Sequence, residues 1–409
     1  MIWFAHCPLE LDSAENIRVT KIPFFDLKRQ FVPLREEILE EIAEICDEQA
    51  FILGPKVSAL ESKVAELCGG GFGIGTSSGT DAELLILMAL GIGPGDAVIT
   101  TPFTFFATAG CITRLGAMPI FVDIDRETFN LAPDRLAEFF ALECIDNKEG
   151  LKTRGGLHLR AVIPVHLFGL SCAMDELREI CGKYCVPLIE DAAQAIGAAY
   201  SSHRGTEQIG GMGEYSYLSF YPTKNLGAFG DAGIAVTRNA EMSHRMKVLR
   251  NHGMEPKYYH RFVGGNFRLD ALQATVLLKK LPYLKRWSQR RWEIAQHYKR
   301  ELAFLEPELV LPIEPFADRL GARGHVYHQF VVRTTMRDEL RNYLSDCGVE
   351  TEIYYPVALH RQDCFAHLAG SYPESERATD EVLALPIFPE LTDDEVQIVS
   401  DAIKRFFQK

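Results

Sequence analysis

The chain has 409 residues, 47% of them hydrophobic, which is more than one hydrophobic core usually serves and predicts a large domain with a smaller companion. A formal net charge of -13 argues against a general affinity for nucleic acid, whose backbone repels such a surface, but leaves room for an anionic small molecule in a locally basic pocket. The longest apolar runs, such as residues 84–91, fall far short of the roughly 20 residues that cross a bilayer, so no membrane partner is expected.

Residues 1–22 read as a loosely held arm: a short apolar start, then acids, without the basic opening of a secretory signal. The ten cysteines are scattered, and the closest pair, Cys181 and Cys185, has no second pair nearby to complete a zinc site. Reduced, mostly buried thiols in a cytoplasmic protein are the expectation. Further on, Leu34, Ile38, Ile42 and Ile45 recur at three- and four-residue spacing among glutamates, which predicts an amphipathic helix over 32–46. Gly54-Pro55 breaks it, and a second helix is expected over 57–68.

From Gly69 the pattern changes to short apolar strands (97–101, 119–122, 161–167, 186–189) alternating with helices (81–90, 108–115, 174–184). Strands that are apolar on both faces predict a mostly parallel sheet covered on both sides, with ligands beyond the carboxyl ends of the strands. The polar stretch 143–159 reads as a surface insertion. After Asp270, helices over 272–281, 287–304, 337–347 and 393–407 and strands over 326–334 and 349–355 predict a small α+β domain. The expected division is an arm (1–22), a large domain (23–270) and a small C-terminal domain (271–409).

Four stretches carry candidate chemistry. Lys224 lies between an aromatic run (Tyr215, Tyr217, Phe220, Tyr221) and a set of glycines (Gly227, Gly230, Gly233), at an expected turn. Apolar surroundings would lower its pKa and give a neutral amine able to form a Schiff base; a solvated loop lysine is the alternative. Ser77-Ser78-Gly79-Thr80-Asp81 opens a helix, where free amides, a hydroxyl and a glycine suit a phosphate, or simply cap the helix. Asp191 ends an apolar strand and is followed by small alanines that leave room for a ring. A carboxylate there can hold a pyridine nitrogen protonated, or cap a helix, or pair with a base. Phe103, Phe105 and Phe106 follow a strand, and one could stack on a planar cofactor or fill the core.

In that chain order these features resemble fold-type-I enzymes that use pyridoxal phosphate. From about Phe24 to its end the chain is most similar to the sugar aminotransferases of the DegT/DnrJ/EryC1/StrS family. Ile52-Leu53-Gly54-Pro55, Ser78-Gly79-Thr80-Asp81-Ala82, Glu190-Asp191-Ala192-Ala193-Gln194, Ser219-Phe220-Tyr221-Pro222-Thr223-Lys224-Asn225 and Asn266-Phe267-Arg268-Leu269-Asp270 are among the segments that carry the likeness. The resemblance implies an α/β fold, with a mostly parallel seven-stranded sheet in the large domain. It implies that Lys224 holds pyridoxal 5'-phosphate as a Schiff base and shuttles a proton, that Asp191 faces the pyridine nitrogen, and that Gln194 bonds the phenolic oxygen. Phe105 would stack on the ring, and Gly79, Thr80 and Ser219 would hold the phosphate. Asn266 would reach the neighbouring subunit's phosphate, which implies a homodimer with shared active sites.

The implied reaction passes an amino group, with glutamate as donor, to a nucleotide-linked keto-sugar destined for surface polysaccharide or a glycosylated metabolite. Arg268, Tyr354 and His360 are candidate substrate contacts. Two positions depart from the family's usual pattern: Tyr354 stands where a histidine is frequent before Tyr355-Pro356, and Ile196 replaces another frequent histidine. Two alternatives are a sugar dehydratase of the same fold, whose members carry histidine in place of the lysine found here, and a regulatory or sensor homologue without catalysis.

Overall fold

The computed structural model describes residues 21–147, 150–316, 323–368 and 370–408. Residues 1–20 of the expected arm lie outside these. Ile22 is not part of a loose arm: it is fully buried, pairs in parallel with Val349 and donates its amide to the Gly348 carbonyl at 2.9 Å.

In chain order the strands are β1 (Phe72–Thr76), β2 (Asp96–Thr100), β3 (Met118–Phe121), β4 (Cys144–Asn147), β5 (Gly150–Thr153), β6 (His158–Val162), β7 (Ile189–Asp191), β8 (Ala199–Ser202), β9 (Gly205–Gln208), β10 (Tyr215–Ser219), β11 (Gly233–Thr237), β12 (Phe330–Arg333) and β13 (Val382–Leu385). Two sheets, β1-β11-β10-β7 and β3-β2-β6-β5-β4, meet where the chain of β6 runs parallel beside that of β7, at Val162–Leu188 and Val165–Asp191. Across this join β3, β2, β6, β7, β10, β11 and β1 stand side by side, and only the pairings of β11 are antiparallel. β2 and β11 are buried along their whole length, as a sheet covered on both faces requires.

The stretch 143–159 is more than a surface insertion. β4 and β5 pair as a hairpin that joins the sheet through Lys152–His158, with Leu151 and Thr153 turned inward. The strand expected over 349–355 does not form. Only Val349 and Glu352 make single bridges, and the partner of β12 is β13, whose four apolar residues are all buried.

Two large hydrophobic cores share one helix. In Leu284–Leu302, Leu284 and Trp287 pack on the main sheet, whereas Ile294, Tyr298 and Leu302 join a second core with Ile22, Phe330, Leu340, Val396 and Ile403. The closing helix Asp393–Phe407 is started by a capping box between Thr392 and Glu395 and ends on Lys404 and Arg405, both favourable to the helix dipole. Among the described residues Cys46, Cys68, Cys111, Cys144, Cys172, Cys181, Cys185 and Cys364 are free thiols, and no helix is long and apolar enough to cross a membrane.

Candidate active site

A cavity of about 830 Å³ opens at the carboxyl ends of β7 and β10, bounded by the helix that follows β1 and by residues 352–359. This is where ligands of a doubly covered parallel sheet gather.

Beyond β10 the chain turns at Tyr221-Pro222-Thr223-Lys224, closed by the Lys224 amide donating to the Tyr221 carbonyl at 2.8 Å. The turn aims Lys224 at the cavity. Burial lowers its pKa to about 8, and the nearby charge of Asp191 opposes the shift without reversing it. No acceptor holds its amine among the described residues.

Asp191 ends β7, its backbone fixed by Pro164 and His166 across the join. Its Oδ2 accepts from Thr108 Oγ1 at 3.0 Å and its Oδ1 from the Ala193 amide at 3.1 Å. One donor per oxygen leaves acceptor capacity on both, toward the cavity. Alternation along the strand turns the neighbouring Glu190 the other way, where it is bonded to His166 and three backbone amides.

The helix Gly79–Ala89 starts on the cavity floor. Ser78 caps it by accepting from the Asp81 amide, so the amides of Gly79 and Thr80 at its first turn are left free for an anion. Two glycines let β10 and β11 close in on this helix start. A Cβ at Gly79 would lie 2.8 Å from that of Ser219, and one at Gly233 would lie 2.3 Å from the Ser78 carbonyl oxygen.

Gln194 accepts from the Phe168 amide at 2.7 Å and donates to the Tyr355 hydroxyl at 3.2 Å, which fixes its amide against the cavity wall. The Phe105 ring stands 57% exposed at the mouth, tilted against Tyr355. Ser219 Oγ accepts from the Tyr221 amide, and Tyr354 also lines the cavity. Lys224, Asp191, Gly79, Thr80, Phe105, Gln194, Ser219 and Tyr354 therefore share one space.

Asn266, Arg268 and His360 lie outside its lining. Asn266 bridges to Asn251, and Arg268 donates to Asn251 Oδ1 at 2.7 Å. His360 is buried against Glu376 at 3.1 Å, with its ring edge on Tyr372. Thr108, Tyr217, Glu83, His328 and Tyr355 join the wall without having been given a role from sequence. The signal available for Glu83 was an acid inside an otherwise apolar helical run.

The DegT/DnrJ/EryC1/StrS aminotransferase family profile matches residues 33–404. A "pleiotropic regulatory protein" of Geobacillus stearothermophilus is 41% identical, over 95% of this chain and 99% of its own. A UDP-N-acetyl-3-dehydro-alpha-D-glucosamine 3-aminotransferase of Acidithiobacillus ferrooxidans is 40% identical, over 94% and 98% respectively. The crystal structure of S. venezuelae DesV in complex with a ketimine intermediate matches with a TM-score of 0.86 at 37% identity, covering 95% of this chain and 99% of that one. With its core motifs gathered in one cavity and a match along nearly its whole length, the chain belongs to the DegT/DnrJ/EryC1/StrS aminotransferase family.

Proposed function

We propose that the protein is a pyridoxal-phosphate-dependent aminotransferase that transfers an amino group from glutamate to a nucleotide-linked keto-sugar. The observation that carries this reading is the convergence of an unpartnered, pKa-lowered Lys224 and an open-sided Asp191 above a helix N-terminus whose first amides are free. Those are the three chemistries a phosphorylated pyridine aldehyde needs: an amine, an acid facing the ring nitrogen and an anion cradle.

When bound, pyridoxal phosphate supplies the carbonyl that exchanges amino groups and a ring that draws electrons from the reacting carbon. The remaining work falls to side chains of this chain. The amides of Gly79 and Thr80, with Ser219, hold the phosphate, and Phe105 covers the ring at the mouth. Asp191 keeps a proton on the ring nitrogen, and Gln194, fixed by Phe168 and Tyr355, offers its amide to the phenolic oxygen. Lys224 Nζ, neutral in part near its pKa of about 8, would take the proton from the donor's α-carbon and pass it on within the same half-reaction, and would run that transfer in reverse in the other.

The name of the Acidithiobacillus relative supports a nucleotide-linked keto-sugar as acceptor. Tyr354 is then the candidate substrate contact within the chain. Arg268 and His360, held by Asn251 and Glu376, act on substrate only if those pairings are exchanged. We further propose a cytoplasmic homodimer in which Asn266 serves the neighbouring subunit's phosphate; the division expected after residue 270 moves into the helix Leu284–Leu302, because Ala271, Leu277, Leu284 and Trp287 belong to the core of the main sheet. Tyr258, Tyr259 and Val263, exposed close to Asn266, support an apolar contact there.

The test is a visible absorbance spectrum with pyridoxal phosphate, before and after glutamate, followed by a panel of UDP- and dTDP-linked keto-sugars. A new band that glutamate bleaches, and a keto-sugar restores, is the expected result. Lack of any band sinks the cofactor assignment; a band indifferent to glutamate sinks the donor. The Geobacillus relative's name favours a regulatory role as the second reading. Under it Lys224→Ala would preserve the cellular phenotype, whereas the enzyme reading requires its loss.

A further inference from the structure

Glu83 lies one turn into the helix Gly79–Ala89, between residues that pack against the main sheet. Its side chain is 0% exposed, and among the described residues neither carboxyl oxygen has a hydrogen-bond partner. An ionised carboxylate buried without a cation costs far more than a neutral one, so such a group takes up a proton.

The titratable groups acting on it come from three elements: Asp191 at the end of β7, Tyr217 on β10 and Cys111 on the helix Ala107–Arg114. The other elements packed on its helix, β1, β11 and the helix Ala240–Arg250, bring Ile74, Ala235, Met246 and Leu249 to this core. Burial first, and then the charge of Asp191, raise the pKa of Glu83 well above the ordinary carboxyl range. The Tyr217 hydroxyl is buried without a partner as well, and both acids act on it. Two carboxyls and a phenol thus meet at the wall of the cavity, where the fixed donors, Thr108 and the Ala193 amide, both go to Asp191. A proton on Glu83 adds a second donor beside the Tyr217 hydroxyl.

We propose that Glu83 is an uncharged positioning residue that donates through the Tyr217 hydroxyl toward Asp191, so that Asp191 alone carries the negative charge behind the ring nitrogen. The inference rests on the reading of Asp191 as the ring's partner. It assigns a task to an acid that the sequence places among leucines.

Two measurements on the protein without cofactor test the protonation. The infrared difference spectrum between wild type and Glu83→Gln at about pH 7 is expected to lack one protonated-carboxyl band in the variant. The folded state keeps a proton that the unfolded chain releases above about pH 4.5, so wild type loses stability as pH rises. The unfolding temperature of Glu83→Gln should therefore gain on wild type as pH rises above the unfolded value of 4.5. A merely space-filling side chain would move neither readout.

Titration with pyridoxal phosphate then tests the positioning. Glu83→Gln, which keeps a neutral donor, should bind within about twofold of wild type, and Glu83→Leu about tenfold more weakly, the scale of one hydrogen bond to a charged group. A missing infrared band, or Glu83→Leu binding as tightly as wild type, overturns the proposal while the functional reading stands. A wild type that takes up no pyridoxal phosphate overturns that reading and the role of Glu83 toward the ring with it.

Discussion

Lys224 and Lys280 are both lysines whose pKa burial lowers to about 8, yet the surroundings of the two amines differ in kind. Lys280 Nζ donates to the Gly227 carbonyl at 2.8 Å and stands 4.8 Å from the centre of the Phe229 ring. Among the described residues Lys224 has neither acceptor nor ring, and it faces a cavity. The acids repeat the contrast. Glu190 is bonded to His166 and to the amides of Gly210, Met212 and Gly213, whereas Asp191 beside it keeps open acceptor capacity and Glu83 has no partner. Burial and a shifted pKa are common to Lys224, Lys280, Glu190 and Glu83. A missing partner, aimed at a space, is what separates them.

The largest expected break is at Lys224. Lys224→Ala should lower amino transfer by at least about a thousandfold, the scale of a lost proton shuttle, without lowering the unfolding temperature, because no hydrogen bond is lost with the amine and the cost of burying it is relieved. In wild type, capture of pyridoxal phosphate by the free amine should quicken with pH up to about 8 and then level off, as read by rapid-mixing absorbance. A flat profile would show that Lys224 is not the group being titrated.

Glu190 tests the supporting side. Glu190→Ala strands His166 and three amides in the interior, and should cost about 3–5 kcal/mol in urea denaturation. Burial alone would raise the pKa of Glu190, but His166 and the amides of Gly213 and Gly210 outweigh it and the net shift is downward. The folded state therefore holds the carboxylate below the unfolded value of 4.5, and its contribution is lost as pH falls through the folded pKa. Acid unfolding of Glu190→Gln should be correspondingly shallower. Next to it, Asp191→Asn should leave stability nearly unchanged while cutting turnover by about a hundredfold, the upper scale for one charge-assisted hydrogen bond. Loss of stability without loss of turnover would assign Asp191 to the scaffold instead.

What sequence could reveal of this contrast depended on how locally it was encoded. Lys224, Asp191 and Gly79 were legible because a turn, a strand end and a helix start are each written in contiguous residues. Their companions were not: Gln194 meets Tyr355 across 161 positions and Thr108 meets Asp191 across 83, contacts that only the packed sheet creates. The helices followed from three- and four-residue periodicity. The strand expected over 349–355 failed because Val-Leu-Ala-Leu of β13, with no alternation to announce it, fits the buried place beside β12 better. The hairpin of β4 and β5 was hidden by polarity, since its inward residues in β5 are only Leu151 and Thr153. Asn266, Arg268 and His360 were read from motifs alone, and their partners Asn251 and Glu376 carry no such signature.

The smallest effect is the sharpest test of the comparison, because Lys280 resembles Lys224 in its lowered pKa but is satisfied. Lys280→Met keeps the length of the side chain, removes one hydrogen bond to Gly227 and also removes the cost of burying an ammonium; the two oppose each other, so the net change should stay within about 1 kcal/mol near neutral pH. The folded pKa near 8 lies below the unfolded value of 10.5, so between those limits the unfolded chain binds more protons and stability rises with pH. Lys280→Met and Lys224→Ala should each flatten part of that rise in a series of denaturation curves. Only Lys224→Ala should stop amino transfer, while Lys280→Met turns over within about twofold of wild type. If both variants lost turnover, a lowered lysine pKa itself would be the working feature, and the distinction between satisfied and unpartnered amines would fail.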